Sequence, residues 1–116
     1  MSTTVDRTSV VWQIARAITS SDKFAGCVEA GVEETANERA DNLVRCKYVV
    51  AGDPYGWSND NAIVTVLCEQ RGYEDDCQKP FDYYCCPELP SSFQLADGRN
   101  VYFEWCNAAI VQVWEV

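Results

Sequence analysis

The chain has 116 residues, of which 47% are hydrophobic, and its 18 acidic residues against 9 basic ones give a net charge of −9. This length fits a single domain, 1–116, and the apolar content excludes an intrinsically disordered chain. The acidity disfavours direct binding to nucleic acid or to anionic membranes, and no apolar run approaches the roughly 20 residues that a membrane span needs.

The first 42 residues predict two amphipathic helices. Thr4 or Asp6 is the expected cap of the first, and the polar run 19–22 ends it. Its apolar stripe consists of Val11, Ile14, Ala15 and Ile18. The second helix is predicted from about Lys23 to Asp41, and its glutamates form the solvent-facing side.

The hydrophobic period changes near Leu43. Alternation from Val44 to Val50 predicts a half-buried strand, and the segment 62–70, apolar on both faces, predicts a central strand. A further short strand is predicted over 81–86 and is ended by prolines.

A β-hairpin is the strongest local signal. Segments 93–96 and 99–105 flank Asp97 and Gly98, which favour a two-residue type I′ turn. A bulge or break at 107–108 precedes a last strand over 109–115. The predicted class is therefore α+β, with two N-terminal helices packed on a five- to six-stranded, mostly antiparallel sheet.

Seven cysteines occur without a single histidine. There is no C-x-x-C pair, which argues against a structural zinc site, and we expect no metal and no other cofactor. Two interpretations remain open: buried thiols in a reducing compartment, or one to three disulfides. The best candidate pairs are Cys77 with Cys85 or Cys86, and Cys86 with Cys106. The N-terminus lacks the features of a secretion signal, so we expect a cytoplasmic location, in the host cytoplasm if the chain is phage-encoded.

Enzymatic activity is not expected. Without histidine the commonest general base is missing, and the acidic neighbours of the cysteines would raise a thiol pKa rather than lower it. No phosphate-binding or dinucleotide-binding loop is present. Eighteen carboxylates make any single acid pair uninformative.

Aromatic and acidic residues are mixed in the predicted turns, a combination typical of protein-binding surfaces. Tyrosine and tryptophan anchor interfaces, and the acids would attract a basic partner. The simpler interpretation is that the aromatic residues cap the core. The candidate partner-binding residues are Asp53, Tyr55, Trp57, Asp60, Tyr73, Glu74, Asp75, Asp76, Asp82, Tyr83, Tyr84 and Glu88.

In size and charge the chain resembles toxin-immunity proteins and phage-encoded inhibitors of bacterial defence nucleases, including anti-CRISPR proteins. No motif carries this resemblance, so it implies no residue roles. It implies a non-catalytic inhibitor that blocks a basic, nucleic-acid-handling protein such as a nuclease, with acids in place of phosphates. The alternative is a secreted or virion-surface module stapled by disulfides, with a role in recognition or structure.

Overall fold

Two helices and five strands make up the part of the chain that the computed structural model describes, namely residues 5–20, 33–53, 62–68, 89, 92–107 and 110–116. The helices are α1 (Val10–Thr19) and α2 (Glu33–Arg45). The strands are β1 (Val49–Ala51), β2 (Val64–Leu67), β3 (Phe93–Gln94), β4 (Asn100–Asn107) and β5 (Ile110–Glu115). This confirms the predicted α+β class with its helices before its sheet.

Helix α1 begins after Ser9, whose hydroxyl accepts a hydrogen bond from the backbone N–H of Trp12 at 3.1 Å. Of the two expected caps, Thr4 lies outside the described residues, and Asp6 instead accepts from the backbone N–H of Thr8 at 2.9 Å, just before the helix. Ile14, Ala15 and Ile18 are fully buried, as their spacing predicts.

The boundary between α2 and β1 corrects one prediction. Residues 44–48 were expected in a strand, but α2 continues to Arg45, because Ala36, Ala40 and Leu43 extend a buried stripe at helical spacing. The strand begins at Val49, one residue out of phase with the predicted alternation. Val49 therefore lies in the core, and Val50 is on the opposite face.

Helix α2 ends in a Schellman motif built around Lys47, which has a φ of 66°. The backbone N–H of Tyr48 donates to the carbonyl of Leu43 at 2.9 Å, and that of Lys47 donates to the carbonyl of Val44 at 3.2 Å. Tyr48 and Leu43 are both buried, which supplies the apolar contact that accompanies this motif.

The described strands form one sheet in the order β1-β2-β5-β4-β3, and every pairing among them is antiparallel. Strand β5 lies at its centre, between β2 and β4, so β2 is an interior strand. All four residues of β2 are buried, which confirms the predicted central strand. The expected strand over 81–86 and the start of the second helix lie outside the described residues.

The β3–β4 hairpin is present, but its turn is longer than predicted. The N–H of Gly98 donates to the carbonyl of Leu95 at 2.9 Å, and the N–H of Leu95 donates to the carbonyl of Arg99 at 2.7 Å. Only Gly98, with a φ of 97°, is left-handed in this turn. This is a three-residue loop that ends in a glycine bulge, so Asp97 needs no positive φ.

The cysteines of the described segments are of two kinds. Cys46, directly after α2, is in a disulfide whose partner lies outside the described residues. Cys68 and Cys106 carry thiols. The expected pair of Cys86 with Cys106 is therefore not formed.

Candidate protein-binding face

Strand register divides the sheet into two faces. Val49, Val66, Val111 and Val113 share one face with Val101, and all of them are buried. Phe93 pairs with Val101 and lines a groove with residues of α1, so the helices lie on this side. We call the opposite side the outer face. It is formed by Val50, Thr65, Leu67, Gln94, Asn100, Tyr102, Glu104, Ile110, Gln112 and Trp114.

The exposed part of the outer face carries an aromatic pair beside a carboxylate. Tyr102 and Trp114 are directly opposite each other on β4 and β5, and their rings stack with centroids 5.8 Å apart at an angle of 26°. Tyr102 is 38% exposed. Glu104, two residues along β4, is exposed on the same face and diagonal to Trp114. We call these three residues the aromatic–acidic patch.

The indole N–H of Trp114 lacks a hydrogen-bond partner within the described part of the chain. Its Nε1 atom is also buried. A buried donor left in this way costs about 1–3 kcal/mol. The Trp114 ring is partly exposed although its N–H lacks an acceptor. Its packing against Tyr102 helps to offset the free-energy cost of that unpaired N–H.

Towards the middle of the sheet the outer face becomes a buried polar row. The hydroxyl of Thr65 donates to the carbonyl of Gly52 at 2.6 Å, and the amide of Gln112 approaches the same hydroxyl at 3.4 Å. The thiol of Cys106 donates to Oε1 of Gln112 at 2.8 Å. Thr65 and Gln112 have no exposed surface, so these bonds satisfy polar atoms that water does not reach.

A β-bulge brings Cys106 to this row. The β4–β5 register shifts between Trp105 and Asn107, which leaves Cys106 as the extra residue. The bulge falls one position before the predicted break. Cys106 is exposed as a residue, but its sulfur lies against buried Gln112, and this partial desolvation raises the pKa of its thiol.

Two carboxylates add to that effect. The negative charges of Glu104 and Asp53 raise the pKa of the Cys106 thiol further, so the sulfur stays protonated and donates its hydrogen at neutral pH. Asp53 reaches this region because Gly52, with a φ of 70°, turns the chain after β1 so that its carbonyl meets Thr65. A nucleophilic role for this thiol is thereby disfavoured.

The predicted partner-binding residues are only partly placed. Asp53 lies beside the outer face, within electrostatic reach of Cys106. The other eleven lie outside the described residues: Tyr55, Trp57, Asp60, Tyr73, Glu74, Asp75, Asp76, Asp82, Tyr83, Tyr84 and Glu88. Their assignment stays a prediction.

Sequence reasoning missed Tyr102, Glu104 and Trp114, although a signal was present. The alternation of β4 places Asn100, Tyr102 and Glu104 on one face and Val101, Phe103 and Trp105 on the other. The second set is the more apolar one, which marks the first as the face away from the core. The predicted turns hold more acids than β4 does, and for that reason they were the predicted binding surface.

Other features of the described segments are weaker candidates. No group of three potential ligands among their His, Cys, Asp and Glu residues is placed to hold a metal ion. A groove of about 490 Å³ lies between α1 and β3. Its polar side chains already bond within the fold: Gln13 accepts from the N–H of Ala96 at 2.8 Å, and Arg16 donates to Asn37 at 2.7 Å. No described helix is long and apolar enough to cross a membrane.

Comparisons with protein-family models, with curated proteins and with solved structures found no match to this chain. The α+β class and the chemistry of the outer face are therefore the basis for any functional assignment.

Proposed function

We propose that this chain is a non-catalytic binding protein that blocks a basic, nucleic-acid-handling protein, with its carboxylates in the place of phosphates. The observation that supports this most directly is the aromatic–acidic patch. Exposed aromatic residues supply contact area at low entropic cost, and a neighbouring carboxylate selects a cationic partner.

Charge supports the same proposal. Glu104 is the one charged residue among the strand residues that form the described outer face, and no cation lies among them. Asp53 adds a second negative charge nearby. Together with the net charge of −9, this favours a positively charged surface as the partner. A nuclease or another nucleic-acid-binding protein presents such a surface where it meets phosphates.

The test has two stages. Cross-linking in lysate of the native host identifies candidate partners, and each is then purified and titrated with the chain at low and high salt, with and without duplex DNA. We expect binding that weakens with salt and is lost in competition with DNA. An affinity that changes neither with salt nor with added DNA would contradict the proposal.

Tyr102→Ala is the matching variant. It removes an exposed anchor, so affinity for the partner should fall by about tenfold through a faster off-rate. The melting temperature should fall by only about 2–6 °C, the loss expected from removing the stacking contact with Trp114, because the side chain is 38% exposed. Gln94→Ala, on β3 of the same face, is the control and should bind as the parent chain does. An unchanged off-rate in Tyr102→Ala would exclude the patch from the interface.

The disulfide of Cys46 favours a second candidate, a secreted or virion-surface module in which disulfides replace part of the core. Thiol counting on denatured, unreduced protein from the native source separates the two. A closed Cys46 disulfide leaves at most five of the seven thiols reactive. Seven reactive thiols would indicate a reducing compartment and would remove the support for this candidate.

A further inference from the structure

The aromatic–acidic patch has a geometry that distinguishes between cations. A lysine ammonium is a compact charge, whereas an arginine guanidinium is planar, stacks on aromatic rings and binds a carboxylate through two parallel hydrogen bonds. A site with an aromatic surface and one adjacent carboxylate therefore favours arginine.

The distances in the patch fit one such side chain. The rings of Tyr102 and Trp114 stack with centroids 5.8 Å apart at an angle of 26°, so they form one aromatic pair, of which Tyr102 is the more exposed ring. Glu104 and Trp114 are diagonal neighbours across the β4–β5 ladder. Residues in diagonal positions of an antiparallel pair are about 7–8 Å apart at the backbone. A guanidinium placed over the rings thus lies within hydrogen-bonding reach of the Glu104 carboxylate.

No cation within the described outer face competes for this place. Arg99, directly after the turn of the β3–β4 hairpin, donates from Nε to Oδ2 of Asp97 at 2.8 Å. The arginines of the first helix and the segment before it bond to α2 on the other side of the sheet: Arg7 to Asp41, and Arg16 to Asn37. The carboxylate of Glu104 is left to face solvent.

We propose that the aromatic–acidic patch is a subsite for a single arginine side chain of a basic partner protein. The guanidinium stacks on Tyr102, the more exposed ring of the aromatic pair, and pairs with Glu104. This inference rests on the proposed function and adds the residue type that the partner contributes.

The test uses three capped peptides of the form Gly-X-Gly-X-Gly, where X is arginine, lysine or citrulline. The full isotope-labelled chain is titrated with each, and the readout is the NMR shift of the Trp114 indole N–H and of the Tyr102 and Glu104 amides. The arginine peptide should bind about threefold to tenfold more tightly than the lysine peptide. Citrulline has the shape of arginine without its charge and should not bind.

Two variants complete the design. Glu104→Gln should lower the affinity of the arginine peptide several-fold and abolish its preference over lysine. Glu115→Gln makes the same change of charge on β5, at a residue paired with Val101 on the other face, and should leave both affinities unchanged. Glu104 and Glu115 are both exposed, and equal melting temperatures of the two variants establish that each is folded.

Three results would overturn the inference. Equal binding of arginine and lysine peptides would leave only a general preference for cations, with the proposed function intact. Concentration-dependent shifts of the same signals without peptide would make a second copy of this chain the occupant. If an identified partner binds in a salt-sensitive way but with the same affinity to the Glu104→Gln variant, the interface lies elsewhere. The proposed function itself fails separately, if no partner shows salt dependence or competition with DNA.

Discussion

Lys47 is the one residue other than glycine with a positive φ in the described part of the chain. A left-handed conformation costs an L-residue about 1–2 kcal/mol, and helices usually place glycine at this point. The Schellman hydrogen bonds hold Lys47 there, and its neighbour Tyr48 is anchored in the same buried cluster as Leu43. The sequence therefore carries local strain at the point where α2 turns into β1.

Lys47→Gly should raise the free energy of unfolding. Relief of the left-handed strain outweighs the greater entropy of glycine in the unfolded chain, for a net gain of up to about 1 kcal/mol. Thermal unfolding should show a midpoint higher by about 4 °C. Lys47→Ala removes the same side chain but keeps Cβ, so it should give no increase. If both variants gained equally, backbone strain would not be the cause.

At the scale of elements, a polar clamp joins the segment before α1 to α2. Asp41 accepts from Nε and Nη2 of Arg7 at 3.1 and 2.7 Å and from Nε1 of Trp12 at 2.8 Å. Arg7 also lies 5.8 Å from the centroid of the Trp12 ring. The hydrogen bonds from Arg7 are the main cause of the lowered pKa of Asp41, with Trp12 contributing and partial burial opposing.

Asp41→Asn should destabilise the protein by about 1 kcal/mol at neutral pH, since three charge-assisted bonds are weakened at a partly exposed site. The pKa of Asp41 is lower in the folded state, so its contribution is complete above the unfolded value of about 3.9. It is lost as the pH falls through the lower, folded value. The melting temperatures of the two proteins should therefore converge in acid.

The reciprocal change gives the control for the clamp. Arg7→Gln should show the same convergence, and the double variant should be less destabilised than the sum of the single ones, because both remove one interaction. A difference between parent and Asp41→Asn that stays constant down to pH about 2 would assign the effect to packing rather than to charge.

Elements were predictable where one period dominated the sequence. The apolar stripe of α1 fits only a helix, and the apolar run of β2 fits only a buried strand; both elements are present. The boundary at residues 44–48 failed because Val44, Cys46 and Tyr48 fit a strand alternation while Leu43 and Val44 also continue the helix. Tertiary burial of Leu43 and the turn at Lys47 decide between them. Local pattern alone does not contain that information.

At the scale of the whole molecule, the aromatic–acidic patch was less predictable from the sequence than the α+β fold class. Two helices followed by a sheet could be derived from periodicity, since each element must bury one face. The aromatic–acidic patch depends on the pairing of β4 with β5 and on which face the helices cover. Neither is local in sequence. The binding surface predicted from the acid-rich turns stays a prediction, whereas strand register decides which described residues form the aromatic–acidic patch.

The charges of the described helical layer nearly cancel, whereas those of the outer face have one sign. The helical layer holds the bases Arg7, Arg16, Arg39 and Arg45 and the acids Asp6, Glu33, Glu34, Glu38 and Asp41. Among the strand residues of the described outer face the one charged side chain is Glu104. Electrostatic attraction of a cationic partner is therefore expected at the sheet rather than at the helices.

The strand order has a consequence for biosynthesis. Strand β5 lies between β2 and β4, yet it follows both along the chain. Until β5 emerges from the ribosome, the β1–β2 pair and the β3–β4 hairpin share no ladder among the described strands, and the edges of β2 and β4 that will receive it stay open. Pairs such as Thr65 with Gln112 join distant parts of the chain, a topology that folds slowly. Nascent chains that have yet to produce this strand are therefore expected to be more prone to aggregation and to proteolysis than the folded protein.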